Sequence, residues 1–242
     1  PARYRGLMTG FLQCGYPIGW FLAAMIAAPI MADYGWRAIF LPALAVVPIA
    51  IILSRFLPES RRFQDAKNAK VDTAQNAQSW TARIKAVFAP EIRRRTLLCS
   101  TIYFMVGGAY AGTAFYFPSF FAEVRGYDAE TATLVVGISY GIGILGYLGS
   151  SLVGEFVTTR RNTIVIWLWL GALAMCGLIW IPTTFAGDVL WFSLMAAFFY
   201  GANAVMGTFL TEQFPTHMRA TGSAIAGTFA MNLGHVLFPL GV

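Results

Sequence analysis

Seven stretches of this chain contain no Asp, Glu, Lys or Arg and are long enough, or nearly so, to cross a bilayer. They are 6–32, 38–54, 96–122, 131–154, 162–187, 189–211 and 220–242. A hydrocarbon core needs about 20 apolar residues in a helix, and a charge at its centre costs roughly 2.5–3.5 kcal/mol on insertion scales. Seven such stretches in succession exclude a soluble fold. Backbone polar groups in lipid must pair internally, which helices do locally. The expected class is therefore an all-α polytopic membrane protein with seven transmembrane helices. The first stretch is too long for a signal peptide and is followed by further spans. Charged residues make up only 12% of the chain, against about 25% in soluble domains. The net charge of +6 belongs to loops and is no nucleic-acid signal.

The basic residues fix an orientation. The N-terminus and loops 55–95, 155–161 and 212–219 hold fifteen of the seventeen Lys and Arg; the alternate loops hold only Arg37 and Arg125. Acids divide six to five between the two sets. Basic residues stay cytoplasmic while acids contribute little. This places the N-terminus and the 55–95 loop in the cytoplasm. Every loop obeys the alternation, an independent argument for seven spans. A seven-span receptor is disfavoured, since such receptors put the N-terminus outside.

The 58–95 loop is the long connection. Its middle, 66–78, is polar and reads as a solvated linker. Ser79 is placed to N-cap a short helix in which Trp80, Ile84, Val87 and Phe88 share a face and Pro90 marks the end. That helix lies on the inner leaflet or docks on protein. In the fourth stretch Gly137–Gly141 forms a GxxxG pair within a glycine-rich helix, which permits close helix approach. Cys14, Cys99 and Cys176 fall in different spans with no metal-ligand spacing and read as packing residues. There is no paired carboxylate within a span, no H-E-x-x-H, no phosphate loop and no CxxC. These absences argue against an enzyme, a metal site or an ATP-driven pump, and no cofactor is expected.

Two cytoplasmic entrances resemble each other. Pro1-Ala-Arg-Tyr-Arg5-Gly6 precedes the first span and Pro215-Thr-His-Met-Arg219-Ala220 the seventh, both P-x-x-x-R followed by a small residue. Related halves are expected in transporters. With Glu212 upstream, Glu212–Arg219 reads E-x-x-P-x-x-x-R. Gly35-Trp36-Arg37 precedes Phe40, Leu57-Pro58-Glu59-Ser60 closes the second span, and a long basic loop follows.

In these features the whole chain resembles the major facilitator superfamily. The resemblance implies a partial fold covering helices five to eleven of twelve. Residues 1–57 would supply the last two helices of the N-terminal half, 58–95 the cytoplasmic linker, and 96–242 the C-terminal half lacking its last helix. It implies a secondary transporter in the plasma membrane, bacterial inner membrane in type, working by alternating access. P-E-S with Glu212–Arg219 and Ala220-Thr221-Gly222 looks most like proton symporters for small organic acids, with sugar porters as the alternative. Two motifs depart from the family pattern. Gly154–Arg161 lacks the central R-x-G of its loop, and Gly15-Tyr16-Pro17-Ile18-Gly19 differs from the antiporter G-P-x-x-G by an inserted Tyr16.

Charges at helix ends suit a latch that closes in one state and opens in the other. The resemblance implies gating roles for Glu155, Arg160, Arg161, Glu212 and Arg219, with Arg5 as the N-terminal equivalent of Arg219. Substrate contacts are expected from polar groups inside spans. The candidates are Gln13, Tyr103, Tyr110, Asn203, Asn232 and His235. No span contains an acid, so His235 is the titratable group within the spans nearest neutrality. The expected partners are a small-molecule substrate, protons and the lipid bilayer, with no nucleic acid.

Overall fold

The computed structural model describes residues 4–58, 64, 79–181 and 184–241. The linker 66–78, Glu59, Ser60 and Arg3 lie outside those residues. The described chain is helical throughout, with no strand.

Six helices are long and apolar enough to cross a membrane: Gly6–Ala27, Arg37–Phe56, Pro90–Glu123, Ala129–Val157, Arg160–Trp180 and Phe185–Glu212. These are spans one to six below. The seventh charge-free stretch is also one helix, running without interruption from Arg219 to Leu237. It is too polar to join the six, because Thr221, Ser223, Asn232 and His235 interrupt its apolar run. It is called span seven for its place in the chain.

Several boundaries differ from the charge-free stretches. Span three starts at Pro90, six residues before its apolar run, because proline is preorganised for the first helical turn and Ala89 before it is extended. Arg93, Arg94 and Arg95 therefore sit on the helix, exposed, at its basic end. Span four runs on through Glu155 as a π-helical segment, Val153–Val157. Span five ends at Trp180 rather than 187, with Ile181 extended. Asp128 caps span four by accepting from the Thr131 backbone N–H at 3.0 Å and from its hydroxyl at 2.7 Å. These two bonds hold the Asp128 carboxyl below the usual carboxylate range.

The short helix expected after Ser79 forms as Trp80–Val87. Ser79 is its N-cap residue, but its hydroxyl contacts that of Thr81 at 2.9 Å instead of a helix N–H. The helix docks by its far end. Val87 is fully buried, and its carbonyl accepts from the Thr96 hydroxyl at 2.7 Å. Trp80 stays exposed.

Glycines decide which helices touch. On span four, a Cβ at Gly137 would run into Ala24 and Met25 of span one, and one at Gly141 into Phe21. Nearer the basic end, Gly10 and Gly6 of span one lie against Ser151 and Glu155. The other face of span four uses Gly143 and Gly146 to reach Ala196 and Ala197 of span six. Gly107, Gly108 and Gly234 join spans three and seven in the same manner. Apolar burial falls into two clusters. One surrounds Phe117, Phe121, Tyr140, Phe192 and Tyr200. The other surrounds Val87, Tyr103, Met206, Leu210 and Phe214 toward the basic end.

Candidate functional site

The helices border a partly open cavity of ≈ 160 Å³. Gln13 and Tyr16 reach it from span one, Tyr103 and Tyr110 from span three, and Tyr147 from span four. Asn203, Met206 and Gly207 line it from span six, and Met231 and His235 from span seven. Five of the six polar candidates thus converge on one space. Asn232 does not; it is exposed on another face. Both residues lie in the α-helix Ala230–Leu237, where a spacing of three falls short of a full turn, and that offset turns Asn232 off the cavity wall while His235 stays on it.

The cavity wall is aromatic. Tyr110 lies with ring centroids 5.7 Å from His235 and 4.9 Å from Tyr200. Tyr200 stacks on Tyr140 at 5.4 Å, and Tyr140 stacks on Trp20 at 5.4 Å. The Tyr200 hydroxyl is 3.1 Å from that of Thr113, which fixes the ring. Polar groups remain available on this wall. The Tyr103 hydroxyl and His235 Nε2 are buried with no hydrogen-bond partner. The Asn203 amide nitrogen donates to the Tyr200 carbonyl at 3.1 Å, orienting the amide. Unpaired buried polar atoms are costly, and two of them belong to residues lining this one cavity. No charged residue among those described lines it.

A second constellation lies at the basic end. The guanidinium of Arg160 donates to both oxygens of Glu212 at 2.7 and 2.9 Å and to Glu155 Oε2 at 2.6 Å. Local structure delivers each group. The π-helical segment that ends span four carries Glu155, Thr159 caps span five immediately before Arg160, and Glu212 closes span six. One arginine thus ties three helix ends, with charge-assisted geometry suited to carboxylates. Gly6 packs directly on Glu155 and Arg160, so span one begins on top of this network. Arg161 is exposed outside it. Arg219 is also outside: no ion pair joins it to Glu212, and its Nε is buried without a hydrogen-bond partner. Only the backbone of Arg5 is described; its helix starts at that residue.

Sequence reasoning missed a third cluster, at the opposite end. Asp188 is completely buried. Arg125 Nε lies 3.3 Å from its Oδ1, and the Tyr127 hydroxyl donates to its Oδ2 at 2.7 Å. Arg125 also donates to the carbonyls of Leu178 at 2.6 Å and Ile181 at 3.4 Å, at the end of span five. The spans three–four turn is thereby pinned to the spans five–six turn. Burial, with the accepting carboxylate of Asp188, pushes the Tyr127 phenol up. One signal was present: Arg125 is one of two basic residues on the sparsely charged side, where orientation gives no reason for a cation.

Among the described residues no group of three His, Cys, Asp or Glu is placed to hold a metal ion. Cys14 and Cys99 are buried as expected of packing residues, whereas Cys176 is exposed.

Residues 1–239 match the family model described as Major Facilitator Superfamily. The chain is 27% identical to a cis,cis-muconate transport protein of Acinetobacter baylyi, over 99% of this chain and 57% of that protein. It is 25% identical to a putative niacin/nicotinamide transporter of Bacillus subtilis, covering 98% and 56% respectively. It is 26% identical to a 3-(3-hydroxy-phenyl)propionate transporter of Escherichia coli, covering 93% and 52%. The chain therefore spans about half the length of the curated relatives it matches, all three of them transporters rather than enzymes. No solved structure matches it.

Proposed function

The chain belongs to the major facilitator superfamily, and on that premise we propose that it forms part of a secondary transporter for a small organic acid. In this reading the solute moves with protons by alternating access across a bacterial inner membrane, and the basic end faces the cytoplasm. Residues 1–57 supply two spans of one half, 58–95 the cytoplasmic connector, and 96–242 five spans of the other half. Span seven then crosses the membrane with Thr221, Ser223 and His235 partly buried and Asn232 exposed.

The observation that carries this reading is the convergence of Gln13, Tyr103, Tyr110, Asn203 and His235 on one cavity, with the Tyr103 hydroxyl and His235 Nε2 left unpartnered. Those groups come from four spans, and Gln13 and Tyr16 belong to the half opposite the rest. A solute bound there touches both halves, so its occupancy biases how they sit against each other. Neutral amides and phenols donate to a carboxylate, and the aromatic wall takes the apolar body. The named relatives are described as carrying muconate, niacin and a hydroxyphenylpropionate, which supports an acid as the solute.

Glu155, Arg160 and Glu212 act in this reading as the inner gate. Span one closes on them through Gly6 and exposes them when the basic end opens. The proton requires a group whose charge follows occupancy. Within the described cavity that group is His235, because imidazole titrates near neutral pH.

Uptake and exchange assays on the complete protein carrying His235→Gln test the assignment. Gln keeps a hydrogen-bond donor and removes titration. Loss of proton-driven accumulation with exchange preserved supports coupling at His235. Persisting accumulation with altered affinity makes His235 a binding residue only. Unchanged accumulation and affinity would remove it from the mechanism.

A further inference from the structure

Span six turns Asn203, Met206 and Gly207 toward the cavity, with Gly207 one helical turn beyond Asn203. Gly207 shares open surroundings with Gly15, Gly19 and Gly112, but of these four it alone lines the cavity. At Gly107, Gly146, Gly201 and Gly234 an added methyl would strike the backbone of a neighbouring helix or the local turn; at Gly207 it would meet no heavy atom within 4 Å. Gly207 lies inside the helical run Asn203–Glu212, and its φ is negative. Neither close helix approach nor a left-handed backbone explains a glycine there, and inside a helix glycine is a weaker choice than alanine. A side chain at 207 would project into the cavity. Any side chain there would reduce the ≈ 160 Å³ present.

We propose that Gly207 sets the upper size of the solute the cavity admits. The absent side chain leaves room for the bulkier part of a small organic acid beside the Asn203 amide. This inference rests on the cavity being the substrate site. A substituent at 207 overlaps a large solute before a small one, so selectivity changes before transport is lost.

The test uses the complete protein in proteoliposomes and the uptake of three labelled acids: nicotinate, gallate and 3-(3-hydroxyphenyl)propionate. Gly207→Ala is expected to lower kcat/KM for the largest acid about tenfold or more, the discrimination one methyl-sized group gives in a pocket, and to leave nicotinate within about twofold. Gly207→Val extends the loss to gallate. Folded yield of Gly207→Ala should not fall, since nothing stands in the way of its methyl; a fall contradicts the open space and overturns the proposal. Asn203→Ala, run in parallel, reports on the cavity itself. If it impairs uptake while both Gly207 variants keep the wild-type order of acids, Gly207 has no role in size selection and the cavity reading stands. If neither position affects uptake, the cavity reading fails and this inference with it. Should none of the three acids be carried, thiol chemistry decides. Gly207→Cys in a Cys176→Ser background should react with 2-aminoethyl methanethiosulfonate and resist a bulky maleimide. Equal reaction with both reagents, or with neither, overturns the proposal.

Discussion

A fully buried carboxylate at the end of a membrane helix survives only where its charge is met. Asp188 has Arg125 and Tyr127. Removing one partner from a buried pair costs about 3–5 kcal/mol, because the other charge is left without compensation. Asp188→Ala is therefore expected to lower detergent-solubilised thermal stability on that scale. The double variant Asp188→Ala, Arg125→Leu should recover part of the loss, and a double-mutant cycle measures the coupling. Strict additivity would show that the two side chains do not interact. Glu212 offers the opposite case. It is half exposed, so its pair with Arg160 contributes at most about 1 kcal/mol. Glu212→Gln should leave thermal stability nearly unchanged yet slow transport, since the amide cannot accept two guanidinium bonds. Wild-type uptake kinetics in that variant would remove Glu212 from the gate. The sequence named Glu212 and Arg219 together among the gate residues, on the strength of one motif. The structure instead sets Arg160 beside Glu212, because the start of span five lies against the end of span six.

Among the elements, span four is the one whose neighbours matter most. Its glycines face two different partners, so substitutions along a single helix should diverge. Gly146→Ala drives a methyl into the Ala197 backbone, and such overpacking costs typically about 1–3 kcal/mol. Gly149→Ala meets only ordinary contact with Trp167 at 3.7 Å and should be neutral or stabilising by about 0.5–1 kcal/mol. Melting curves of the two variants side by side check this; equal losses would contradict the packing. The GxxxG pair was visible in the sequence as a site of close approach. Its partner was not, because a spacing of four residues says that a helix is near and not which one. The helix after Ser79 was equally half legible. Its existence followed from periodicity, but it ends at Val87 and Pro90 opens span three instead of closing it, while the choice between lipid and protein fell to the burial of Val87.

For the whole molecule, topology is the first thing to test. A cysteine at Lys67 should be protected from an impermeant thiol reagent in intact cells, and one at Glu130, exposed at the start of span four, should be labelled. Labelling at Lys67 would reverse the orientation. Asp188 lies on the same side as Glu130, but its burial disqualifies it as a probe site. The helices, their approximate ends and the separation of basic from neutral loops were determined by the sequence alone. Those properties are sums along the chain: transfer of charge into hydrocarbon, backbone pairing within each helix, and loop charge. Which side of each helix faces protein was decided only by the tertiary structure. In water the apolar stripe of a helix announces its buried face; in lipid both faces are apolar, so packing and a few hydrogen bonds choose between them. Tyr16, Tyr147 and Gly207 carry no mark in the sequence that sets them apart from lipid-facing residues, and they line the cavity because glycine contacts rotate spans one, four and six until they do.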